Sequence, residues 1–350
     1  MSGRYLIVGA GALGSLLAAQ WTLAKVSATL VARGASYEAI ARDGVRVRRP
    51  QGDDVVRVDV VDSLAAARPT ARDAIVLAVK AQDAEAAVAG VAWLPLADGR
   101  GVVADLPILT LQNGLSSEDV ALRRFDTVIG VSIGIPASHL EPGVVVSPAY
   151  PVVGAAWLGG YPRPLAGVEE EHRLAFAQAG FAAEIEPDIA AAKRRKLIAN
   201  LRNVVDVFRT TPEEADAAEA ALKVEAREVF ARTGLAVAPP PATDVRLQIG
   251  QVPGHEPGHL STWQSFARGA SSEVDFLSGE VTLLARFAGI EAPLNAAVAR
   301  ALGAHAARGG GPDELPLPEE FGYDLLTGVN GAGARGAGAR GAGARSAARA

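Results

Sequence analysis

Residues whose types and spacing suit chemistry fall in three places along this 350-residue chain. The first is Gly9-Ala10-Gly11-Ala12-Leu13-Gly14, which follows the apolar run Tyr5–Val8 and opens a helical pattern from Leu13 to Leu23. Between a strand and a helix this spacing is a dinucleotide fingerprint. Gly9 permits the tight turn, Gly11 lets the backbone approach a pyrophosphate, Gly14 lets helix and strand pack closely, and free N–H groups at the helix start face the phosphate charge. An ordinary glycine turn is the plain alternative, and the βαβ pattern that follows weighs against it. The second place is Arg33, just after the next apolar run in Val31-Ala32-Arg33-Gly34. An NAD enzyme would put an Asp or Glu there for the ribose 2′-hydroxyl, whereas a guanidinium suits a 2′-phosphate through paired charge-assisted bonds. NADPH is therefore the expected cofactor, a solvated surface arginine being the alternative.

The third place gathers polar residues that could handle a carbonyl. Lys80, in Ala78-Val79-Lys80-Ala81, and Asn113, in Gln112-Asn113-Gly114, end two successive strand patterns, so both lie at the carboxyl edge of a sheet, where ligands bind. Lys196, Asn200 and Asn203 share one stripe of a helix by their spacing. A lysine there can protonate the alkoxide formed when a ketone accepts hydride, and its charge stabilises that alkoxide beforehand. Further on, Ser261 and Glu273 supply a hydroxyl and a carboxylate, the latter suited to a substrate hydroxyl. Each has a bland alternative: a loop lysine, a turn dipeptide, the wet face of the basic run Lys193-Arg194-Arg195-Lys196, and a carboxylate favouring a helix dipole. His255 and His259 frame Pro257-Gly258, which cannot hold a helical metal pair, so they read as loop histidines and no metal site is expected.

The elements that must position these residues follow from the apolar pattern. Short apolar runs alternate with alanine-rich helical stretches up to about Pro187, the rhythm of a parallel sheet buried on both faces. Expected strands are Tyr5–Val8, Ala28–Val31, Ala74–Val79, Ile108–Leu111 and Val128–Val131, with an irregular or antiparallel edge between Pro136 and Pro164. After Pro187 the strand signals stop. Helices are expected at Asp188–Val207, Pro212–Thr233, Thr262–Gly269, Ser271–Gly289 and Pro293–Arg308, with Pro-rich breaks at Ala238–Ala242 and Val252–Gly258. The fold class is α/β, a Rossmann-like doubly wound sheet domain (residues 1–187) followed by an all-helical domain (188–325). A Gly/Ala/Arg tail (326–350) without large apolar side chains is expected to be disordered.

Composition removes several function classes. With 34 basic against 39 acidic residues the formal charge is -5, so no overall positive field attracts a nucleic acid backbone. Zero cysteines exclude disulfides, thiolate metal sites and cysteine nucleophiles. No apolar run approaches the roughly 18 to 20 residues needed to cross a bilayer. The uncharged stretch Tyr5–Ala19 after Arg4 imitates a signal peptide, but its glycines mark it as fold, and a cytoplasmic protein is expected.

Together these stretches resemble the ketopantoate reductase (2-dehydropantoate 2-reductase) family from about Tyr5 to Val298. The resemblance lies in the order of motifs: GAGALG at Gly9–Gly14, the basic Arg33, VKA at Val79–Ala81, LQNG at Leu111–Gly114, KLIAN at Lys196–Asn200, STWQS and EVDFLSGEV between Ser261 and Val281, and GIEAPLN at Gly289–Asn295. It implies NADPH-dependent reduction of a 2-keto acid in a cleft between the two domains. By resemblance Lys196 is the general acid, Glu273 binds the substrate hydroxyl, Ser261 lies near the substrate carboxylate, Asn113 and Asn200 line the site, and Lys80 positions cofactor or substrate. The chain departs from the family pattern at Val204, where a second asparagine is common and Asn203 stands one position earlier. It departs again at Trp263 and Ser265, in place of an apolar residue and an aspartate. The leading expectation is reduction of 2-dehydropantoate to pantoate, a step of pantothenate biosynthesis, by a monomer or homodimer. The departures keep a reductase of another ketone or imine in secondary metabolism as the alternative, and an NADP(H)-binding sensor is the non-enzymatic one.

Overall fold

The computed structural model describes residues 3–241, 247–255, 259–269 and 272–322. The tail expected to be disordered, the expected helix start at Ser271 and parts of both Pro-rich breaks lie outside the described residues.

Eight strands form the main sheet: β1 (Tyr5–Val8), β2 (Ala28–Val31), β3 (Asp59–Val61), β4 (Ala74–Leu77), β5 (Ile108–Thr110), β6 (Val128–Gly134), β7 (Gly154–Tyr161) and β8 (Phe181–Ile185). Their spatial order is β3-β2-β1-β4-β5-β6-β7-β8. The first six run parallel, β7 runs antiparallel to β6, and β8 lies parallel to β7. The order 3-2-1-4-5-6 is the doubly wound arrangement, whose connections reverse direction between β1 and β4 and leave a crevice there. Alternate residues of β1 explain the continuous apolar run: Tyr5 and Ile7 enter one core with Leu16 and Trp21, Leu6 and Val8 the opposite one with Val88 and Phe125.

The helices that bear on the site are α1 (Ala12–Leu23), α2 (Gly34–Asp43), α3 (Ser117–Leu122), α4 (Ile189–Asn200), α5 (Pro212–Arg232), α6 (Ser261–Ala267), α7 (Ser278–Phe287) and α8 (Pro293–Ala307). Helices α5, α7 and α8 close a third core around Phe230, Leu277 and Leu302. Helix α4 belongs to both halves. It packs on β6 and β7, while its Leu197 and Ile198 join the helical core. Two glycines allow that approach: a Cβ at Gly130 would stand 2.9 Å from Ile189 Cγ1, and one at Gly159 would stand 2.9 Å from Ile189 Cβ.

Several elements differ from expectation. The helix expected over 188–207 ends at Asn200, because the Leu201 N–H turns back three residues to the Ile198 carbonyl and a short turn, Arg202–Val205, follows. Asn203 therefore stands beyond the helix that carries Lys196. The helix expected to start at Ser271 becomes a 3₁₀ turn, Val274–Phe276, broken from α7 at Leu277 by ψ -94°. The helical half is not wholly helical, since Gln248–Ile249 pairs with Ala149–Tyr150. A second sheet, ordered 52–56, 45–49, 144–146, 138–141, was not expected from the apolar runs.

Candidate active site

The glycine loop sits at the switch point, tied to β2 by a bond from the Gly9 N–H to Val31 O of 3.1 Å. Gly9 has φ +115°, and a Cβ there would stand 2.9 Å from the Val79 nitrogen. At Gly14 the helix crosses the strand end so closely that a Cβ would lie 1.9 Å from Gly9 O. A Cβ on Gly11 would meet nothing within 4 Å, so the loop is open where a pyrophosphate would approach. Gly11 caps α1 without a side-chain bond, and no acidic residue occupies the first turn, which leaves the positive end of the helix unneutralised. Ala10, Ala12 and Leu13 complete the loop, the last two lining the cleft beside it. Arg33 follows β2 as the exposed N-cap of α2. These residues fit a dinucleotide. Gly14→Ala is expected to cost about 1–3 kcal/mol through overpacking against backbone that cannot yield, read as a fall in Tm of several degrees and weaker dinucleotide binding.

A cleft of about 730 Å³ runs from this loop to the helical half. Lys80, Asn113, Lys196, Asn200, Asn203, Ser261 and Glu273 all line it, although they come from separate segments of chain. Strand β4 stops at Leu77 and β5 at Thr110, short of the expected ends, and the chain beyond each carries Lys80 and Asn113. Gln112 joins the two extensions, its Nε2 donating to Leu77 O at 2.7 Å and Val79 O at 2.9 Å. Gly114 lets the 3₁₀ turn approach, since a Cβ there would meet Phe276 O at 2.7 Å. That approach brings Glu273, only 5% exposed, into the cleft wall. Its surroundings are not those of a carboxylate placed for a helix dipole, because both oxygens face the other half of the molecule.

One chain of polar contacts crosses the cleft. Asn200 Nδ2 donates to Asn113 Oδ1 at 3.0 Å, and Asn113 Nδ2 donates to Glu273 Oε2 at 3.3 Å. The Ala81 N–H donates to Glu273 Oε1 at 3.5 Å, and Lys80 Nζ stands 3.9 Å from Glu273 Oε2. Lys80 also donates to the buried Ser265 Oγ at 2.5 Å, and that hydroxyl donates to Ser261 O at 3.0 Å. Burial lowers the Lys80 ammonium below the ordinary lysine range; Glu273 opposes this and Arg268 adds to it. Asn203 reaches the cleft from beyond α4, donating to Ser261 Oγ at 3.3 Å. Val204, at the position where the family pattern commonly has asparagine, is instead buried in the helical core.

Lys196 lies one turn before Asn200 and donates to the Ile133 carbonyl near the end of β6. Burial pulls its pKa down to about 8, the nearby Lys193 pulls the same way, and Glu273 opposes both. An amine in that range gives up a proton readily near neutral pH. The basic run is not a solvated face: Lys193 is buried. His255 and His259 stand in loops at the cleft rim, and His259 stacks on Trp263 with ring centroids 3.5 Å apart.

Comparison with known proteins gives the family and the fold. Residues 5–159 match the family model for ketopantoate reductase PanE/ApbA, and residues 191–306 match that for its C-terminal part, together well over half the chain. A 2-dehydropantoate 2-reductase of Pyrococcus horikoshii is 27% identical over 302 residues, which span 83% of this chain and 94% of the relative. A crystal structure of a PanE/ApbA family ketopantoate reductase from Ralstonia eutropha JMP134 shares the fold at a TM-score of 0.70 and 21% identity, covering 87% of this chain and 99% of that one. A D-mandelate dehydrogenase solved with NADH and anilino(oxo)acetate shares it at 0.69 and 16%, with the same coverage. By the family models it matches and the 2-dehydropantoate 2-reductases it resembles, the chain is an oxidoreductase acting on a CH–OH group with a nicotinamide cofactor. The chain belongs to the ketopantoate reductase family.

Proposed function

We propose that the protein reduces a 2-keto acid to a 2-hydroxy acid with NADPH, and that 2-dehydropantoate is the leading substrate. The observation that carries this reading is the meeting of Lys196, Asn113, Asn200 and Glu273 in one cleft beside the glycine loop. When bound, the reduced dinucleotide supplies a hydride to the carbonyl carbon. Lys196 holds a proton for the carbonyl oxygen and, before releasing it, stabilises the negative charge growing there. Glu273 accepts from a substrate hydroxyl, its orientation held by the Asn113 amide and the Ala81 N–H. Ser261, Asn203 and Asn200 offer polar atoms to the substrate carboxylate, and Lys80, which donates to Ser265 and stands 3.9 Å from Glu273, contributes positive charge beside them. Arg33 meets the 2′-phosphate.

The test is oxidation of NADPH by the purified protein against 2-dehydropantoate and a panel of other 2-keto acids. Trp263 favours one further arm. Its indole lines the cleft, fixed by a bond from Nε1 to Asp313 Oδ2 of 3.0 Å and covered by His259. The panel therefore includes keto acids with bulky flat substituents and cyclic imines; preference for one of these over 2-dehydropantoate assigns the substrate away from pantoate. Tight NADPH binding without turnover on any member returns the protein to the sensor class.

A further inference from the structure

Behind Lys196, away from the cleft, a lysine and a glutamate are buried against each other. Lys193 Nζ donates to Glu118 Oε1, with side chains 4% and 1% exposed. Glu118 is held a second time by Thr110 Oγ1, which donates to the same oxygen at 2.6 Å. The pair therefore fastens α4 to α3 and to β5, the strand whose extension carries Asn113. Lys193 precedes Lys196 by three residues on α4, so the two ammonium groups project from neighbouring positions of one face. An ion pair removed from water adds little net stability over apolar side chains of similar size, and losing one partner strands a charge. What such a pair does supply is a fixed position and a fixed local charge.

We propose that the Lys193–Glu118 pair is a positioning device for the general acid, setting where α4 presents Lys196 and keeping a second positive charge one turn behind it. The inference rests on Lys196 being that acid. Geometry gives it two effects. Anchoring α4 at Lys193 fixes the distance between Lys196 and the Asn113–Glu273 contact, since Asn113 extends the strand that anchors Glu118. The Lys193 charge also repels the proton on Lys196, acting with burial and against Glu273. Other titratable groups surround the pair. Glu280 of α7, Asp119, Arg194 and Tyr161 line a cavity of about 150 Å³ with Glu118 and Lys193. Burial raises Glu280 to about 7, the Leu115 N–H opposing and the carboxylates of Asp119 and Glu118 adding to it. Tyr161 donates to Asp119 Oδ1 at 2.5 Å. On the cleft side, Glu273 acts on Lys196, and Lys80, Arg268, His139, His255 and His259 line the same cleft.

The experiment is the pH profile of kcat for the full chain, with NADPH and the fastest 2-keto acid of the panel, in Lys193→Met and in the double variant Glu118→Gln with Lys193→Met. The double variant keeps the shape and leaves neither charge behind. An acid that must be protonated gives full kcat below its pKa and loses it as pH rises. Removing the Lys193 charge lets Lys196 hold its proton to higher pH, so the alkaline limb moves up, by about one pH unit in Lys193→Met and by less in the double variant, where the Glu118 carboxylate is lost as well. A limb that stays in place or moves down in the folded double variant overturns the inference, since a merely structural pair would lower kcat equally at all pH. A parental enzyme without an alkaline limb, or Lys196→Ala retaining turnover, refutes instead the assignment of Lys196.

Discussion

Lys196→Ala is expected to lower kcat by roughly 10² to 10⁴ while dinucleotide affinity stays near that of the parent. The amine reaches the cleft from α4, bonded to the Ile133 carbonyl, and is no part of the glycine loop. Its removal takes away both the proton and the charge that stabilises the alkoxide, but none of the backbone that would hold a pyrophosphate. Lys196→Arg separates the two contributions, because a guanidinium keeps the charge and does not give up its proton near neutral pH. Arginine recovering part of the lost rate identifies the electrostatic share. The parental profile follows from the pKa of about 8 in the free enzyme: kcat/KM holds on the acid side and declines as pH rises through that value. Single-turnover absorbance of the reduced nicotinamide reads the chemical step, and fluorescence titration reads the binding. Near-parental turnover in the alanine variant removes Lys196 from the chemistry.

The parallel sheet is legible in the sequence because its strands are buried on both faces and so write themselves as unbroken apolar runs. Tyr5–Val8 and Ala28–Val31 appear with the bounds expected. The hairpin 45–56 escapes notice for the converse reason. Val45 and Val47 are buried and Arg46 between them is exposed, an alternation that a search for apolar runs passes over. The apolar runs overshoot two strand ends, at Val79 and Leu111, since apolar residues continue past the last ladder bond to line the cleft or fill the core beside it.

The site residues are legible one by one; their contacts are not. Asn113 and Glu273 stand 160 positions apart, and no local pattern links them. Lys193 shows the limit most clearly. Four consecutive basic residues point around every side of a helix, so the run Lys193–Lys196 offers no means of choosing the buried face. The choice comes from β6 and β7, whose glycines let α4 settle on the sheet, and from Glu118 waiting beneath it. Ser265 illustrates the reverse: its departure from the family pattern is visible in the sequence, and the bond from Lys80 explains what the small neutral side chain does there.

Arg33→Asp is the second large expected effect, a rise in the KM for NADPH of roughly 10 to 10³-fold with a smaller change, or an improvement, for NADH. Arg33 follows β2 by two residues, and β2 is bonded to the glycine loop through Gly9, so Arg33 is the residue that would hold a 2′-phosphate of a dinucleotide bound at that loop. Gly34, at φ +53°, turns the chain away immediately afterwards and leaves the guanidinium exposed. Aspartate in its place repels a 2′-phosphate and accepts from a 2′-hydroxyl, so one substitution both penalises NADPH and favours NADH. A phosphate contact at the exposed Arg33 would be electrostatic, so the expected preference for NADPH should shrink as salt rises, whereas the aspartate variant, relying on a neutral hydroxyl, should respond less. Titration of both dinucleotides without keto acid measures this independently of turnover. Equal NADPH affinity in parent and variant at low salt would place the 2′-phosphate elsewhere and leave Arg33 a surface residue.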